Sequence, residues 1–487
     1  MLSEITIPPT CPGLFCPTSA QDGLLSRIRI PGGLLNGQQC EAIANLSNQF
    51  CNGFVQITNR ANLQLRGLQT ELPIEALQLL QSVALAASIP AVDAIRNIMS
   101  SPTAGIDARA LLDTRPLVRD WNNMLISRPD LAVLSPKFSV CFDGGERVCV
   151  GDRPNDITLV AFEREGSTRF RLLLSMGKRG DAPQDVGVSV KVTEAIALLT
   201  ALAEAYRDYT LQNSNRSLKP PRLRDLLKDW GIERYLNVVT QKTGLSLISE
   251  PADLPRTPAP SYAHLGVHPQ QLQGLVYIGV SLPLGQLQTQ QLQELASLST
   301  QYGDGTLRLT PWQTVIVPNI STLQIAEVQQ RIEDLNLHTD AMHPSSAIVA
   351  CSGTTGCKAA MTDTQHHAQV MTVHLERCIA LDTPINIHFS GCEKSCAQHQ
   401  SGDITLVGTE EQGAEAYQIY VGNDGSKFGR ALYPLSDADT LPQQIESMIR
   451  AYQQHRQSLQ ESFGDFVNRH AIAELQQLFD TALGGQP

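Results

Sequence analysis

The chain is sparing with charge: Asp, Glu, Lys and Arg make up only 17% of its 487 residues, while apolar residues make up 42%. So little charge excludes a disordered chain, and the apolar content suffices for more than one core. The length suggests roughly three domains. Long apolar runs are missing too. AIALLTALA at 195–203 falls well short of the roughly 18–20 residues that a spanning helix needs, so no membrane partner is expected. The opening MLSEITIPPT has neither a basic nor an apolar stretch. No signal peptide is expected, and the cytoplasm is the expected location. Positive charge is in deficit, with a net charge of −11. That argues against a nucleic-acid partner but leaves room for a locally basic site and a small anionic ligand.

Nucleotide motifs are also lacking. There is no GxGxxG after a strand, and no GxxxxGK followed by Ser or Thr. A built-in nicotinamide, flavin or nucleotide module is thereby excluded. Eleven cysteines, an odd number without an export signal, argue against a disulfide framework and for metal binding or buried thiols. Cys11, Cys16, Cys40, Cys51, Cys141, Cys149 and Cys378 show no ligand spacing.

What the chain does have is a long-period repeat. Residues 30–58 align without gaps on 282–310, with Pro31/Pro283, Gly33/Gly285, Gln38/Gln290, Ala44/Ala296, Gly53/Gly305 and Thr58/Thr310 identical. Each copy reads as strand, Pro-Gly turn, amphipathic helix, Gly turn, strand. Weaker matches follow: SSPTAG (100–105) with SGTTGC (352–357), KFSVC (137–141) with HFSGC (388–392), and NDITLV (155–160) with GDITLV (402–407). So long a period marks a domain duplication rather than a solenoid. The Pro-rich stretch 250–262 is the natural linker between the halves.

The second half holds Cys351-x5-Cys357 and, 34 residues on, Cys392-x3-Cys396. Four thiolates in two close pairs suit an iron–sulfur cube, in which each iron takes one cysteine. Structural zinc favours gaps of two to four residues, so the five-residue gap fits it less well. On the repeat, Met99, Gly105 and Gly145 fall opposite Cys351, Cys357 and Cys396, and Cys141 falls opposite Cys392. One half would hold the cluster, with Cys141 a core thiol in the other.

Residues 54–67, FVQITNRANLQLRG, read as an extended strand whose alternate side chains share a face. Gln56, Thr58, Arg60, Asn62, Gln64 and Arg66 make one face, a row of donors without an acid. Solvated strand faces mix Lys, Glu and Thr, whereas a row like this suits a polyanion, since guanidinium forks bind carboxylates bidentately. Arg96 and Lys137 are candidates to join the site.

Together these features resemble the nitrite/sulfite reductase superfamily over most of the chain. The resemblance rests on the duplicated half-domain, TNRANLQLRG, RNIMSSPTAGID, the PKF segment and the four-cysteine motif. It implies an α+β fold with two ferredoxin-like half-domains and two tetrapyrrole/iron–sulfur α/β domains. The expected order is an N-terminal segment (1–22), half-domain copy 1 (23–90), a tetrapyrrole-binding domain without a cluster (91–250), a linker (251–272), half-domain copy 2 (273–340) and a [4Fe–4S] domain with C-terminal helices (341–487).

The same resemblance implies that Cys351, Cys357, Cys392 and Cys396 hold a [4Fe–4S] cluster. In the reductases of the family the last of these bridges to the sirohaem iron. It further implies that Arg60, Arg96 and Lys137 contact tetrapyrrole carboxylates and substrate, with Arg96 and Lys137 as the catalytic candidates; the donor row adds Asn62, Gln64 and Arg66 to the expected tetrapyrrole-binding residues. The family's sulfite reductases place a second lysine two residues after the first, a position held here by Ser139.

Within the superfamily, CPGLFCPTSAQDGLLSRIRIPGG (11–33) and HFSGCEKSCAQHQSGDITLVG (388–408) look most like the precorrin-3B synthase branch. That likeness implies a monooxygenase of cobalamin biosynthesis. It would hydroxylate precorrin-3A at C20 and form a lactone, using the cluster and a mononuclear non-haem iron. Histidine with carboxylate is the expected type of iron ligand, and His366, His367, His388 and His399 stand nearest the cluster motif. The alternative is a sirohaem-dependent ferredoxin nitrite or sulfite reductase. A cluster-bearing tetrapyrrole carrier without turnover is a third reading. Each enzymatic reading needs an external electron donor of reductase or ferredoxin type, and a monomer is expected.

Overall fold

Pro-Gly turns and Gly turns punctuate the two repeat copies, and the computed structural model shows what each becomes. It describes residues 12–178, 180–213, 219–251 and 262–484. Cys11 and residues 252–261 of the expected linker lie outside the described residues. The chain divides into two units: Met1–Ser19, Gly23–Gly279 and Leu287–Leu335 form the first, and Ala20–Asp22, Val280–Gln286 and Asn336–Pro487 the second.

The first half-domain runs β1 (Thr18–Ala20), β2 (Gly23–Ile28), β3 (Leu34–Asn36), α1 (Gly37–Phe50), β4 (Phe54–Ile57), β5 (Leu63–Leu68) and α2 (Ile74–Ser82). The domain after it runs α3 (Pro90–Asp93), β6 (Asn97–Ser100), α4 (Arg115–Ser127), β7 (Ser139–Asp143), β8 (Ile157–Arg164), β9 (Ser167–Leu174), β10 (Gln184–Lys191), α5 (Ala195–Asn213), α6 (Leu223–Trp230), α7 (Ile232–Thr243) and β11 (Ile248–Ser249). The second half-domain repeats the first as β12 (Gly266–Pro269), β13 (Leu275–Val280), β14 (Gln286–Gln288), α8 (Thr289–Tyr302), β15 (Thr306–Leu309), β16 (Val315–Ser321) and α9 (Ile325–Asp334). The last domain holds β17 (Ile348–Ala350), α10 (Gly353–Gly356), α11 (Thr364–Cys378), β18 (Ile387–Ser390), β19 (Ile404–Glu411), β20 (Ala414–Val421), β21 (Arg430–Asp437), α12 (Leu441–His455), α13 (Phe463–Arg469) and α14 (Ile472–Gly484).

The two half-domains exchange a strand. Their sheets run β1-β2-β5-β4-β14 and β12-β13-β16-β15-β3, so the short strand after each Pro-Gly turn pairs in the other copy's sheet. The turn requires glycine. Gly33 has φ 71°, and a Cβ on it would lie 2.6 Å from the Leu309 carbonyl oxygen. The helices start at matching caps: Asn36 and Gln39 form a capping box at α1, and Gln288 and Gln291 form one at α8. α1 packs on α8, where the Thr289 hydroxyl meets the Asn48 side-chain oxygen at 2.6 Å.

The two larger domains share one topology, parallel strands giving way to antiparallel ones. In the first unit β6, β7 and β8 are parallel, then β9, β10 and β11 follow antiparallel. In the second unit β17, β18 and β19 are parallel, then β20 and β21 follow antiparallel. Each sheet buries one face against helices. Trp121, Phe138, Phe170, Tyr206 and Tyr235 fill the first core, and Phe389, Tyr417, Tyr452, Phe463 and Phe466 fill the second.

Strand register corrects one expectation. Cys141 stands between Met99 and Thr158, and His388 stands between Val349 and Thr405. Asp156 accepts from the Ser139 N–H as Asp403 accepts from the Asn386 N–H, at 3.1 and 2.8 Å. The repeat therefore places Cys141 opposite His388, not opposite Cys392, and puts Met99 opposite Val349 rather than Cys351. The KFSVC and HFSGC segments resemble each other in sequence but stand four residues out of register in the sheets, since Cys141 and His388 each pair with the threonine 17 residues on. Cys141 is a core thiol clustered with Met99 and Val150, a cluster against which Trp312 packs, and burial raises its pKa.

Candidate active site

The donor row is not one strand. Residues 54–67 fold into a hairpin in which β4 and β5 pair Val55 with Leu65, Gln56 with Gln64 and Ile57 with Leu63. Even-numbered residues face even-numbered ones, so the alternation survives the fold, and Gln56 and Gln64 stand opposite each other on one face. Thr58 builds the turn: its hydroxyl accepts from the Arg60 and Asn62 N–H groups at 3.2 and 3.1 Å, and Ala61 takes φ 53°. Asn62 is buried, and its Oδ1 accepts from the Ile30 N–H at 2.8 Å. Arg60, at the tip, donates through Nη1 to Asn155 Oδ1 at 3.0 Å. Gln64 is half-buried and Arg66 buried on β5.

Arg96 is buried beside β6. It donates through Nη1 to Asp93 Oδ1 at 2.8 Å and through Nε to Asn122 Oδ1 at 2.8 Å. A second buried guanidinium, that of Arg29, approaches the same carboxylate at 3.7 Å. Lys137 is exposed and lines a cleft of about 400 Å³ with Lys219, Arg222 and Arg224. Ser139, two residues on, is buried. Its N–H and hydroxyl reach Asp156 Oδ2 at 3.1 and 3.4 Å, and Arg222 pairs with the same carboxylate at 3.0 Å. Arg29, Asp93 and Asn155 were not singled out from sequence. Asn155 had a signal: it is where NDITLV departs from GDITLV.

The second copy builds the same turn and fills its face. Thr310 accepts from the Trp312 and Thr314 N–H groups at 3.2 Å each, and Gln313 takes φ 62°. Arg308, which replaces Gln56, donates to the Pro102 and Ala104 carbonyls at 3.2 and 2.7 Å. Trp312, which replaces Arg60, stacks on His264 at 4.7 Å with Arg153 over its ring at 4.9 Å. Nearby, carboxylates satisfy the loop amides of the domain that lacks the motif. Asp143 accepts from the Val150 and Gly151 N–H groups at 2.8 and 2.6 Å, and Glu146 accepts from Gly144 at 2.7 Å. Burial, reinforced by Asp143, pushes the Glu146 carboxyl up to about 8.

In the second unit the cysteine pairs follow β17 and β18, and their loops interlace. The Cys351 N–H donates to the Phe389 carbonyl at 3.1 Å, the Gly391 N–H points at Cys351 Sγ at 3.2 Å, and the Met361 N–H donates to the Gly391 carbonyl at 2.7 Å. Cys351, Cys357 and Cys392 are half-buried, and Cys396 is the most exposed of the four. A Cβ on Gly391 would lie 2.7 Å from Ala360 Cβ and 3.5 Å from Cys351 Sγ, so the cradle tolerates no side chain there. Two close pairs of thiols, with a backbone N–H aimed at the Cys351 sulfur, fit a [4Fe–4S] cluster.

The nearby histidines do not gather into an iron site. His366 lies against His367, and the His367 Nδ1 meets the Tyr417 hydroxyl at 2.9 Å. His399 is half-buried. His388 is fully buried, neither ring nitrogen has a hydrogen-bond partner, and burial brings its pKa down to about 3. Among the described residues, none of the four joins a group of three ligand-type side chains.

The strand-exchanged half-domains and interlaced thiol loops define an iron–sulfur oxidoreductase. The model for the nitrite and sulphite reductase 4Fe-4S domain matches residues 91–247 and 342–486, and that for the nitrite/sulfite reductase ferredoxin-like half domain matches 18–83 and 268–335. The chain belongs to the nitrite/sulfite reductase family. It is 32% identical over 430 residues to a ferredoxin–nitrite reductase of Synechococcus elongatus, covering 84% of this chain and 82% of that one. It is 30% identical over 451 residues to sulfite reductase [ferredoxin] 2 of Mycolicibacterium paratuberculosis, covering 89% and 80%. Among solved structures, the Mycobacterium tuberculosis NirA protein superposes with a TM-score of 0.78 at 26% identity, covering 93% of this chain and 84% of that one.

These likenesses overturn the monooxygenase expectation. The precorrin-3B synthase likeness rested on two short segments, whereas the similarity to nitrite and sulfite reductases runs through most of the chain. The mononuclear non-haem iron falls with it. The cofactors the family supports are the [4Fe–4S] cluster and sirohaem. No helix among the described residues is long and apolar enough to cross a membrane.

Proposed function

We propose that this protein is a ferredoxin-dependent nitrite reductase, reducing nitrite to ammonia with electrons delivered one at a time. Ser139 carries the reading. It stands two residues after Lys137, where the resemblance places a second lysine in sulfite reductases, and it is buried against Asp156. Nitrite is a monoanion, whereas sulfite is largely a dianion above neutral pH. A site with one cation fewer suits the smaller charge.

On this reading Cys351, Cys357, Cys392 and Cys396 hold the cluster, one thiolate to each iron. Arg60, Gln64 and Arg66 hold sirohaem carboxylates, with Asn62 fixing the turn that presents them. Bound sirohaem supplies the iron at which nitrite oxygens are lost as water. Arg96, its guanidinium anchored by Asp93 and Asn122, orients the anion. Lys137 adds an exposed cation.

The test is anaerobic purification and pigment extraction, then turnover of nitrite and of sulfite with reduced ferredoxin. A Soret band with extractable sirohaem is expected, with kcat/KM for nitrite above that for sulfite and a gap that narrows in Ser139→Lys. Faster turnover of sulfite would overturn the substrate assignment. Absence of sirohaem would overturn the reading as a whole.

A further inference from the structure

Away from the cluster motif, two helices of the second unit bring three ligand-type side chains together. His374 and Cys378 stand four residues apart on α11 and share a face. Glu446 comes from α12, packed alongside. The ligand atoms of the three lie within 4.8 Å of one another.

The carboxylate is already oriented. Arg450 Nε donates to Glu446 Oε1 at 2.7 Å, and Arg450 Nη2 donates to the Cys378 carbonyl at 2.7 Å. That leaves Glu446 Oε2 for His374 Nε2, at 2.7 Å. The Glu446 side chain is 5% exposed and that of His374 22%, so the group is walled on one side and reachable from the other.

We propose that His374, Cys378 and Glu446 form a binding site for a divalent transition ion of the zinc type, with water as fourth ligand. Zinc takes sulfur at about 2.3 Å and nitrogen and oxygen at about 2.0–2.2 Å, which sets the ligand atoms of a tetrahedron roughly 3.4–3.7 Å apart. Binding would draw the group to that spacing from the present one, in which the ligand atoms lie within 4.8 Å of one another. On binding, the Cys378 thiol releases its proton to solvent and His374 binds as neutral imidazole. The His374–Glu446 hydrogen bond gives way to two metal bonds, and Arg450 keeps the carboxylate monodentate.

The site has a structural consequence. α11 begins at Thr364, whose hydroxyl donates to the Cys351 carbonyl at 2.8 Å, and Gln365 Nε2 donates to the same oxygen at 2.6 Å. An ion at the far end of α11 pins to α12 the helix that steadies Cys351.

The experiment uses the holoprotein with its cluster in place, so that the four motif cysteines are occupied. It is dialysed against micromolar zinc alone, and bound zinc is counted and its coordination read by zinc-edge X-ray absorption. One zinc per chain is expected, with one sulfur at about 2.3 Å and nitrogen or oxygen at about 2.0 Å. Cys378→Ser and His374→Gln should each weaken binding by roughly 100-fold or more, since loss of an outer-shell partner already costs about 10–100-fold. Iron and acid-labile sulfide should not change. Zinc should raise the melting temperature of the wild type and leave that of Cys378→Ser unmoved. Failure to retain zinc, or a zinc without sulfur in its shell, would overturn the proposal. The absorption measurement on the wild type decides this even if a variant does not fold.

Discussion

Replacing Asp93 by Asn removes a carboxylate that faces two buried guanidiniums. Arg96 pairs with it at 2.8 Å and Arg29 approaches it at 3.7 Å, and all three side chains are at most 3% exposed. Stripping one partner from a buried ion pair costs about 3–5 kcal/mol, because a charge is left without compensation. Asn keeps an oxygen for the Ala87 N–H, which Asp93 Oδ1 now accepts at 3.0 Å, so charge is the main loss and about 3 kcal/mol is the better figure. In a domain of this size each kcal/mol lowers the melting temperature by about 2–4 °C, so the first thermal transition should fall by roughly 10 °C. Calorimetry of the holoprotein reads this, with the exposed Glu75→Gln as control. On the proposed function, the freed Arg96 should also raise the KM for nitrite more than it lowers kcat. A transition within about 2 °C of the wild type would refute the reasoning, because the guanidiniums would then be compensated elsewhere.

Gly391→Ala should lower iron and acid-labile sulfide together, since its new methyl collides with Ala360 beside Cys351. The overpacking costs about 1–3 kcal/mol, and cluster content equal to the wild type would refute it. The protein should also lose stability in acid through its buried histidines. The pKa of His264 is lowered from the ordinary value of 6.5 to about 3, by burial first and Arg153 second. A depressed folded-state pKa means the unfolded chain binds the extra proton, so stability is complete above about 6.5 and is lost as pH falls toward 3. His264→Phe keeps a ring against Trp312 and should move the acid midpoint downward; an unchanged midpoint by fluorescence would show that His264 does not contribute.

Several features were legible in the chain because they depend on spacing alone. The repeat, the Pro-Gly turns and the two cysteine pairs are local patterns, and together with the TNRANLQLRG, RNIMSSPTAGID and PKF segments they carried the resemblance to the family. The donor row was legible as well, although residues 54–67 were read as one strand. Its parity survives because a hairpin that pairs Gln56 with Gln64 keeps even residues on one face. Substrate class was misread because two short segments outweighed the rest of the chain.

Tertiary structure decided what depends on partners distant in sequence. The exchange of β3 and β14 between half-domains follows from where an unpaired three-residue strand finds its hydrogen bonds. The register that sets Cys141 opposite His388 is fixed by which residues pair across the sheet, which the likeness of KFSVC to HFSGC does not reveal. Whether an arginine is held or presented depends on where carboxylates and amides lie, so Arg96 meets Asp93 and Asn122 while Arg60 reaches Asn155. Cys378 carried no ligand spacing in the sequence. It gains His374 because four residues close a helical turn, and Glu446 because α12 packs beside α11. Spacing along the chain fixes local geometry, whereas burial and charge pairing are set only when the core closes around them.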